Sequence, residues 1–170
     1  EVRLVSSSSV VNEDSQAMLR KSSEWASWEA DNDGWMAIMD EMTGLPHRAW
    51  GPGIDIGGVG IEIKHSTFVE QGLSMFGVRA EQLADARYSD KMGDSNHQRV
   101  FQSQIVDGYD VLLSQIQTKW KGDKLVMWGV DWWGDVQVPV GEILNDDVIL
   151  SAAKNGVSFS STEISWEGWG

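Results

Sequence analysis

Three segments of the chain have the periodic spacing of apolar residues that is typical of amphipathic helices. They are residues 14–29, 67–76 and 146–155. In the second segment, Val69, Leu73 and Phe76 fall at positions i, i+4 and i+7 and form one apolar stripe. Thr67 and Glu70 have the spacing of a capping box, which predicts that this helix begins near Thr67.

The other apolar segments alternate or are rich in β-branched and aromatic residues, and turn residues separate them, which is typical of strands. The predicted strands are residues 35–39, 45–50, 59–63, 100–106, 109–120, 125–133 and 136–140. Residues 107–108 have the composition of a tight hairpin turn, and residues 121–124 predict another. Within the longest strand, alternation predicts one shared face for Val111, Leu113, Gln115 and Gln117.

The order of these elements predicts an α+β fold in which an antiparallel β-sheet, built from a hairpin and a meander, packs against two or three helices. The same pattern divides the chain into three regions. Residues 1–34 are predicted to be a flexible or partly helical N-terminal segment, residues 35–156 the α+β domain, and residues 157–170 a C-terminal strand and tail.

Composition narrows the range of functions. The net charge is −13, from 26 acidic and 13 basic residues, and such a field repels a phosphate backbone, so nucleic acid is not an expected partner. No apolar run reaches the roughly 18–20 residues that a membrane-spanning helix requires. Because the chain has no cysteine, disulfides, thiolate catalysis and Cys-ligated metals are excluded.

The sequence also lacks a recognisable catalytic centre. A zinc protease of the thermolysin type needs two histidines one helical turn apart, and His47, His65 and His97 are widely spaced. Asp131 and Asp135 flank two tryptophans, as paired carboxylates do in sugar-cleaving enzymes, but 26 acidic residues produce such neighbours by chance. We therefore expect no catalytic residue, no metal and no cofactor.

Ten tryptophans are the most unusual feature of the composition. Four of them lie on adjacent predicted strands: Trp120, Trp128, Trp132 and Trp133. Because neighbouring residues of a strand point to opposite faces, one of Trp132 and Trp133 is expected to be exposed. Exposed tryptophans mark binding surfaces for protein or carbohydrate. The four residues are therefore predicted to belong to a protein interface.

Three blocks of sequence follow one another in a recognisable order. Residues 40–51 are an acidic turn followed by a segment that ends in Gly, residues 68–78 a helix that ends in Phe-Gly, and residues 97–111 a strand, turn and strand. Together they resemble the fungalysin/thermolysin propeptide motif, which is found in the prodomain of secreted zinc metalloproteases. The matching positions are Asp40, Gly44, Pro46, Gly51, Phe76, Gly77, Gln104, Gly108 and Val111. Asp110 stands where the family commonly has Pro, and Lys119 stands near a common His.

The resemblance implies a non-catalytic domain that assists the folding of a secreted zinc metalloprotease and inhibits it. Its partner would be the cognate protease domain, and its location would be extracellular. Residues 1–5 have no basic region followed by an apolar segment, so no signal peptide is visible and a secreted form would be a processed one.

The alternative is a freestanding extracellular module of the same fold. Such a module would use the tryptophan-rich sheet to bind a protein, a glycan or other copies of itself. The complete gene separates the two hypotheses, because a downstream His-Glu-x-x-His motif supports the prodomain and a stop codon after Gly170 supports the module.

Overall fold

Six strands form one antiparallel sheet in the computed structural model, which describes residues 12–89 and 96–137 and the positions Asp147, Leu150 and Ser151. The strands are β1 (Met36–Met39), β2 (Pro46–Asp55), β3 (Arg87–Tyr88), β4 (His97–Val106), β5 (Tyr109–Lys121) and β6 (Lys124–Asp131). The helices are α1 (Glu13–Leu19), α2 (Ser23–Asp31) and α3 (Ile61–Gly72). The chain thus has the α+β fold that the sequence predicts.

The sheet joins a hairpin to a meander in the order β1-β2-β6-β5-β4-β3. Strands β1 and β2 are the predicted hairpin, and β4, β5 and β6 are the predicted meander. Strand β2 pairs with β6, so the hairpin and the last strand of the meander meet in the middle of the sheet. Strand β3 has no signal in the sequence because it is only two residues long.

The two faces of the sheet differ in their side chains. The inner face carries buried residues such as Ala49, Ile116 and Val130, which pack in one core with the tryptophans and phenylalanines of the helical segments. Residues that alternate with these along the strands, such as Trp50 and Lys119, point to the outer face. The inner face thus holds the core, and the outer face carries the aromatic and charged residues between the core positions.

The regular alternation of β5 is interrupted at Leu113. The backbone φ of Leu113 is 61°, and the register with β4 shifts between Ser103 and Ile105. This irregularity leaves Leu112 83% exposed and Leu113 81% exposed, although neighbours in a regular strand point to opposite faces. The single face predicted for residues 111–117 is therefore broken near the start of the strand.

Residues 14–29 form two helices rather than the one that the sequence predicts. Helix α1 ends at Leu19, and α2 begins at Ser23. The side chain of Ser22 accepts a hydrogen bond from the backbone N–H of Trp25, which makes Ser22 the N-cap of α2. Because serine favours cap positions over helix interiors, the two adjacent serines explain the break.

Helix α3 begins earlier than predicted, at Ile61, and Thr67 lies inside it. The predicted capping box at Thr67 is therefore wrong. The predicted strand at residues 59–63 is also wrong, because these residues lead into the helix and form its first turn. Lys64 and His65 lie on the buried face of α3, and their polarity hides the helical periodicity in the sequence.

The ring of Trp128, on β6, is the centre of the core. Its centroid lies 5.1 Å from that of Trp28 and 6.3 Å from that of Trp25, both on α2. The centroid of Phe68 on α3 lies at 5.8 Å, and that of Phe76 at 5.2 Å. Tilted and edge-to-face pairs at such distances stabilise a core beyond the area that they bury. One side chain of the sheet therefore contacts both α2 and α3.

The N-terminal helices belong to the same core as the sheet, because α2 supplies Trp25 and Trp28 to it. The division that the sequence predicts at residue 35 is therefore not present in the structure. Contacts between residues divide the chain elsewhere, into the two units Glu1–Val138 and Pro139–Gly170.

Part of the predicted C-terminal structure lies outside the described residues. In the second unit the described positions Asp147, Leu150 and Ser151 are helical, and they fall within the helix predicted at residues 146–155. The strand predicted at residues 157–170 is wholly outside the described part. Of the strand predicted at residues 136–140, only residues 136 and 137 are described, and neither is in a strand.

Side chains of α1 bind the edge of β1, which is the first strand of the sheet. Gln16 is buried, and its Nε2 donates a hydrogen bond to the carbonyl oxygen of Met39 at 2.8 Å. Its Oε1 accepts one from the Met39 N–H at 2.7 Å. Arg20 donates to the carbonyl oxygen of Ala37 at 3.1 Å. These side chains satisfy backbone groups that a further strand would otherwise satisfy.

A chain of hydrogen bonds connects α3 to the sheet through the buried His65. Its Nε2–H donates to Oε1 of Gln102 at 2.9 Å, because an amide oxygen can only accept. Its Nδ1 then accepts from the hydroxyl of Thr118 at 3.0 Å. Burial lowers the pKa of His65, and the hydrogen bond to Gln102 opposes this effect only in part. His65 is therefore neutral in the folded protein at neutral pH.

Replacement of Trp128 by Ala removes the ring that α2 and α3 share. We expect the free energy of unfolding to fall by about 3–5 kcal/mol, as is typical for a buried aromatic side chain. Replacement of the partly exposed Trp50 by Ala is the control, and we expect it to cost at most about half as much. Urea unfolding followed by circular dichroism measures both values. Equal losses would contradict a central role for Trp128.

His65 makes the folding stability depend on pH. The unfolded chain binds a proton at His65 below its ordinary pKa of 6.5, whereas the folded chain resists it, so the stability falls as the pH decreases from 6.5 toward the folded-state pKa. We expect His65→Gln to remove most of the decline between about pH 7 and pH 5.5. Urea unfolding at several pH values measures this decline.

The pKa of His97 is also lowered, by partial desolvation and by Lys119 and Lys121, so its contribution has the same sign. His97→Gln is therefore measured in parallel to separate the two histidines. A decline that persists unchanged in His65→Gln would rule out His65 as its source.

Candidate functional site

A surface groove forms beside Trp133, where three separate segments of the chain meet. Its volume is about 500 Å³. Its lining includes Met42, Leu45, Phe76, Gly77, Trp132 and Trp133. A smaller depression of about 340 Å³ shares Met42 and Trp133 and extends to Leu113. We call the larger of the two the Trp133 groove.

Asp40 builds the turn that forms the first wall of the groove. Its Oδ1 accepts hydrogen bonds from the N–H groups of Met42 and Thr43, at 3.0 and 2.7 Å. The hydroxyl of Thr43 donates to the same oxygen at 3.0 Å. Gly44 closes the turn with a φ of 72°, and its N–H donates to the carbonyl oxygen of Asp40 at 2.8 Å. Pro46 is buried and begins β2 directly after this turn.

The second wall follows helix α3. Ser74–Phe76 form a 3₁₀-helix, and Phe76 contacts the ring of Trp128 in the core. Gly77 ends this helix with a φ of 79°, which is the left-handed C-cap that the sequence predicts. The second wall is thus anchored in the core on one side and exposed on the other.

Gln104 holds the segment that forms the floor of the groove. It is fully buried, and its Nε2 donates to the carbonyl oxygen of Trp133 at 2.9 Å and to Gln82 Oε1 at 3.0 Å. Its Oε1 accepts from the Trp133 N–H at 3.4 Å and from the hydroxyl of Ser114 at 2.6 Å. The amide thus binds both backbone groups of Trp133. The backbone of Trp133 is fixed, while its side chain is 37% exposed.

Most positions that match the propeptide motif converge on this groove. The helix-end positions Phe76 and Gly77 line the groove. Asp40 and Gly44 hold the turn that forms its first wall, and the buried Gln104 holds its floor. These residues come from three blocks that are separated in the sequence. The fold therefore uses parts of all three blocks to line the groove or to support it.

The remaining motif positions serve the fold away from the groove. A Cβ atom at Gly51 would lie 2.5 Å from the ring of Trp35, so the close packing of Trp35 requires glycine there. Gly108 lies in the turn between β4 and β5 with a φ of 83°. Val111 is half-buried in β5. None of these three residues lines the Trp133 groove.

Only one of the four tryptophans predicted as interface residues is accessible. Trp120 and Trp128 are 0% exposed and Trp132 is 2% exposed, whereas Trp133 is 37% exposed. The opposite orientation of Trp132 and Trp133 agrees with the prediction. The other three are core residues, because the inner face of the sheet needs large apolar side chains to fill the space beneath the helices. Trp133 alone remains a candidate for contact with a partner.

Asp131 and His47 form a pair beside the smaller depression. His47 Nδ1 lies 2.5 Å from Asp131 Oδ1, and Arg48 lies 3.7 Å from Asp131 Oδ2. The carboxylate of Asp131, which the sequence analysis considered together with Asp135 as a catalytic pair, is thus bound by His47 and Arg48. Residues 12–89 and 96–137 contain no group of three or more His, Cys, Asp or Glu that could hold a metal ion. The site offers apolar contacts, a fixed backbone and one hydrogen-bonded pair, His47 and Asp131.

Sequence reasoning did not find the residues that give the groove its shape. The sequence predicts Met42 as a turn residue and Leu45 as the first residue of a strand, and only the structure places them beside Trp133. Gln104 was identified by its match to the motif, but its partner Trp133 lies 29 residues away. A contact over that separation leaves no periodic signal in a single sequence.

No protein-family model matches the chain, and no curated protein and no solved structure matches it significantly. In the part of the chain that the structure describes, no helix is long and apolar enough to cross a membrane.

Replacement of Gln104 by Leu leaves both backbone groups of Trp133 without their partner. We expect this to cost about 1–3 kcal/mol, the penalty for unpaired polar groups at a partly buried site. We also expect faster hydrogen exchange at the Trp133 amide while the amides of the central strands remain protected. Gln98→Leu, on the same strand, is the control. Equal exchange at Trp133 in both variants would argue against the role assigned to Gln104.

Proposed function

We propose that this chain is a non-catalytic propeptide-like domain, which assists the folding of a secreted zinc metalloprotease and inhibits that protease until it is removed. The observation that carries the proposal is that motif positions from three blocks line the Trp133 groove or hold the segments that line it. Motif residues that only stabilised the fold could lie anywhere in the core. Here Gly77 lines the groove together with the exposed Trp133, and Gly44 closes the turn that forms the first wall.

The Trp133 groove has the composition of a protein-binding surface. Trp133 leaves part of its ring in water and forgoes roughly 25 cal/mol for each Å² that a partner could cover. Met42 and Leu113 add further exposed apolar area at the groove or its neighbouring depression. A rigid backbone beneath an exposed aromatic ring is favourable for binding, because little conformational entropy is lost when a partner covers it.

Assistance in folding follows from binding by mass action. A domain that binds the folded protease and not the unfolded chain stabilises the folded state by an amount that grows with the ratio of its concentration to Kd. A covalent connection raises the effective concentration further, to the millimolar range for short flexible linkers. Inhibition and assisted folding are then two consequences of one interface.

The second candidate is a freestanding extracellular module that binds a protein, a glycan or copies of itself. The exposed pair Leu112 and Leu113 on β5 favours it, because adjacent exposed apolar side chains also suit self-association. This candidate would use the same groove and the same tryptophan. The two candidates differ in what binds, not in where it binds.

The decisive experiment combines the gene with a refolding assay. The complete gene is sequenced, and the zinc protease domain that it encodes downstream is refolded with and without the chain. We expect the chain to increase the yield of refolded protease and to inhibit its activity. Trp133→Ala is expected to weaken inhibition by about 30-fold, the effect of losing a hot-spot residue worth about 2 kcal/mol.

Tyr88→Ala is the matched control, because Tyr88 is an aromatic residue of similar exposure, 39%, on the short strand β3. It is expected to inhibit as the unmodified chain does. A gene that ends after Gly170, combined with concentration-dependent self-association that Trp133→Ala abolishes, would support the freestanding module instead. Inhibition that is unaffected by Trp133→Ala would remove the groove from the proposal.

A further inference from the structure

The outer face of the sheet concentrates positive charge in a chain that is strongly acidic. The chain has 26 acidic and 13 basic residues. Strand register places these basic residues on the outer face: Arg48, Arg87, Arg99, Lys119 and Lys121. Asp131, which register also places there, is already engaged by His47 and Arg48. The face is therefore cationic against the overall charge of the protein.

Several of these cations lie directly opposite one another on neighbouring strands. Arg99 is opposite Lys119, and Lys121 is opposite Lys124, whose Nζ lies 3.8 Å from Asp55 Oδ2. Like charges in directly opposed positions destabilise a sheet. Among the described residues, no carboxylate lies within 4.0 Å of the charged groups of Arg99, Lys119 or Lys121. The repulsion between Arg99 and Lys119 opposes folding, so folding alone does not account for this pair.

An apolar row continues from the cations across the sheet. Register aligns five residues on five strands: Met36, Trp50, Met127, Lys119 and Arg99. Met36 is 57% exposed and Trp50 is 37% exposed. With strands about 4.8 Å apart, the row is roughly 19 Å long, which equals about six residues of an extended chain.

A second row lies beside the first and is also held in place. The side chains of Arg48 and Gln117 are in contact, and the guanidinium donates to the Gln117 oxygen when the amide is turned so that this oxygen faces Arg48. Gly129 lies between them, and a Cβ atom there would collide with the carbonyl oxygen of His47 and with the Arg48 side chain. Phe101 and Arg87 continue this row toward the edge of the sheet.

We propose that this outer face binds an acidic polypeptide segment that also carries aromatic or aliphatic side chains. Carboxylates of the segment lie over Arg99, Lys119 and Lys121 and relieve their mutual repulsion. Its apolar side chains cover Trp50 and Met36. The outer face is distinct from the Trp133 groove, and the inference does not depend on the proposed function of that groove.

Charge and shape favour a polypeptide over other occupants. An anionic membrane would meet the acidic remainder of a chain with a net charge of −13 as well as the cationic face, and repulsion would oppose contact. Nucleic acid is repelled by the acidic remainder of the chain in the same way. A second copy that used the same face would bring two sets of cations together. An acidic segment of about six residues avoids all three difficulties.

The test measures binding of the full chain to a random copolymer of glutamate and tyrosine. Poly-glutamate, oligothymidylate and phosphatidylserine vesicles are the comparison ligands. We expect the copolymer to bind most tightly, with an affinity that falls as salt screens the ion pairs. Lys119→Glu is expected to weaken binding at least about tenfold, because it reverses the central charge. The same variant is expected to unfold at a higher temperature, because it places a carboxylate opposite Arg99.

Arg79→Glu is the matched control, because Arg79 is exposed in the loop after Gly77 and the substitution changes the net charge equally. It is expected to keep the affinity of the unmodified chain within about twofold. Trp50→Ala tests the contribution of the apolar residues of the outer face. It is expected to reduce the preference for the copolymer over poly-glutamate. Failure of the unmodified chain to bind the copolymer would overturn the proposal. Equal losses in Lys119→Glu and Arg79→Glu, or equally tight binding of oligothymidylate or vesicles, would overturn it as well.

Discussion

The contact of Trp128 with the helices is the constraint on which the other features depend. Strand β6 lies between β2 and β5, so the ring of Trp128 fixes α2 and α3 over the middle of the sheet. With α3 in that position, His65 reaches the polar groups of β4 and β5. After α3, Phe76 packs against the same Trp128 ring. This contact places the next residue, Gly77, in the wall of the groove. The surface site is thus a consequence of how the core is filled.

Two buried glutamines, in different parts of the fold, each bind both backbone groups of one residue. Gln16 binds the N–H and the carbonyl oxygen of Met39, and Gln104 binds the same two groups of Trp133. A side-chain amide has the donor and the acceptor that a neighbouring strand would offer, so each glutamine completes the pairing of one residue without adding a strand. At Trp133 the result is a fixed backbone that carries an exposed ring, which is the arrangement a binding surface needs.

The sequence predicts the type of most elements because strand alternation and turn glycines are local signals. It does not predict the start of α3, since Lys64 and His65 occupy buried positions that a periodicity count treats as exposed. It also cannot assign the tryptophans, because a tryptophan suits a core and an interface equally well. The groove itself depends on the contact between Gln104 and Trp133, and on a turn, held by Asp40, that only the fold brings beside them.

Helix α1 has a consequence for the protein in concentrated solution. An open sheet edge recruits strands from other molecules, and native proteins cover such edges to avoid joining into fibres. Here α1 covers the edge of β1 with only seven residues, through Gln16 and Arg20. A helix of that length is not stable by itself in water, so the cover lasts only while these side-chain contacts hold. Proteolysis between α1 and α2 would uncover Met36–Met39 and turn this edge of the sheet into a template for edge-to-edge polymerisation.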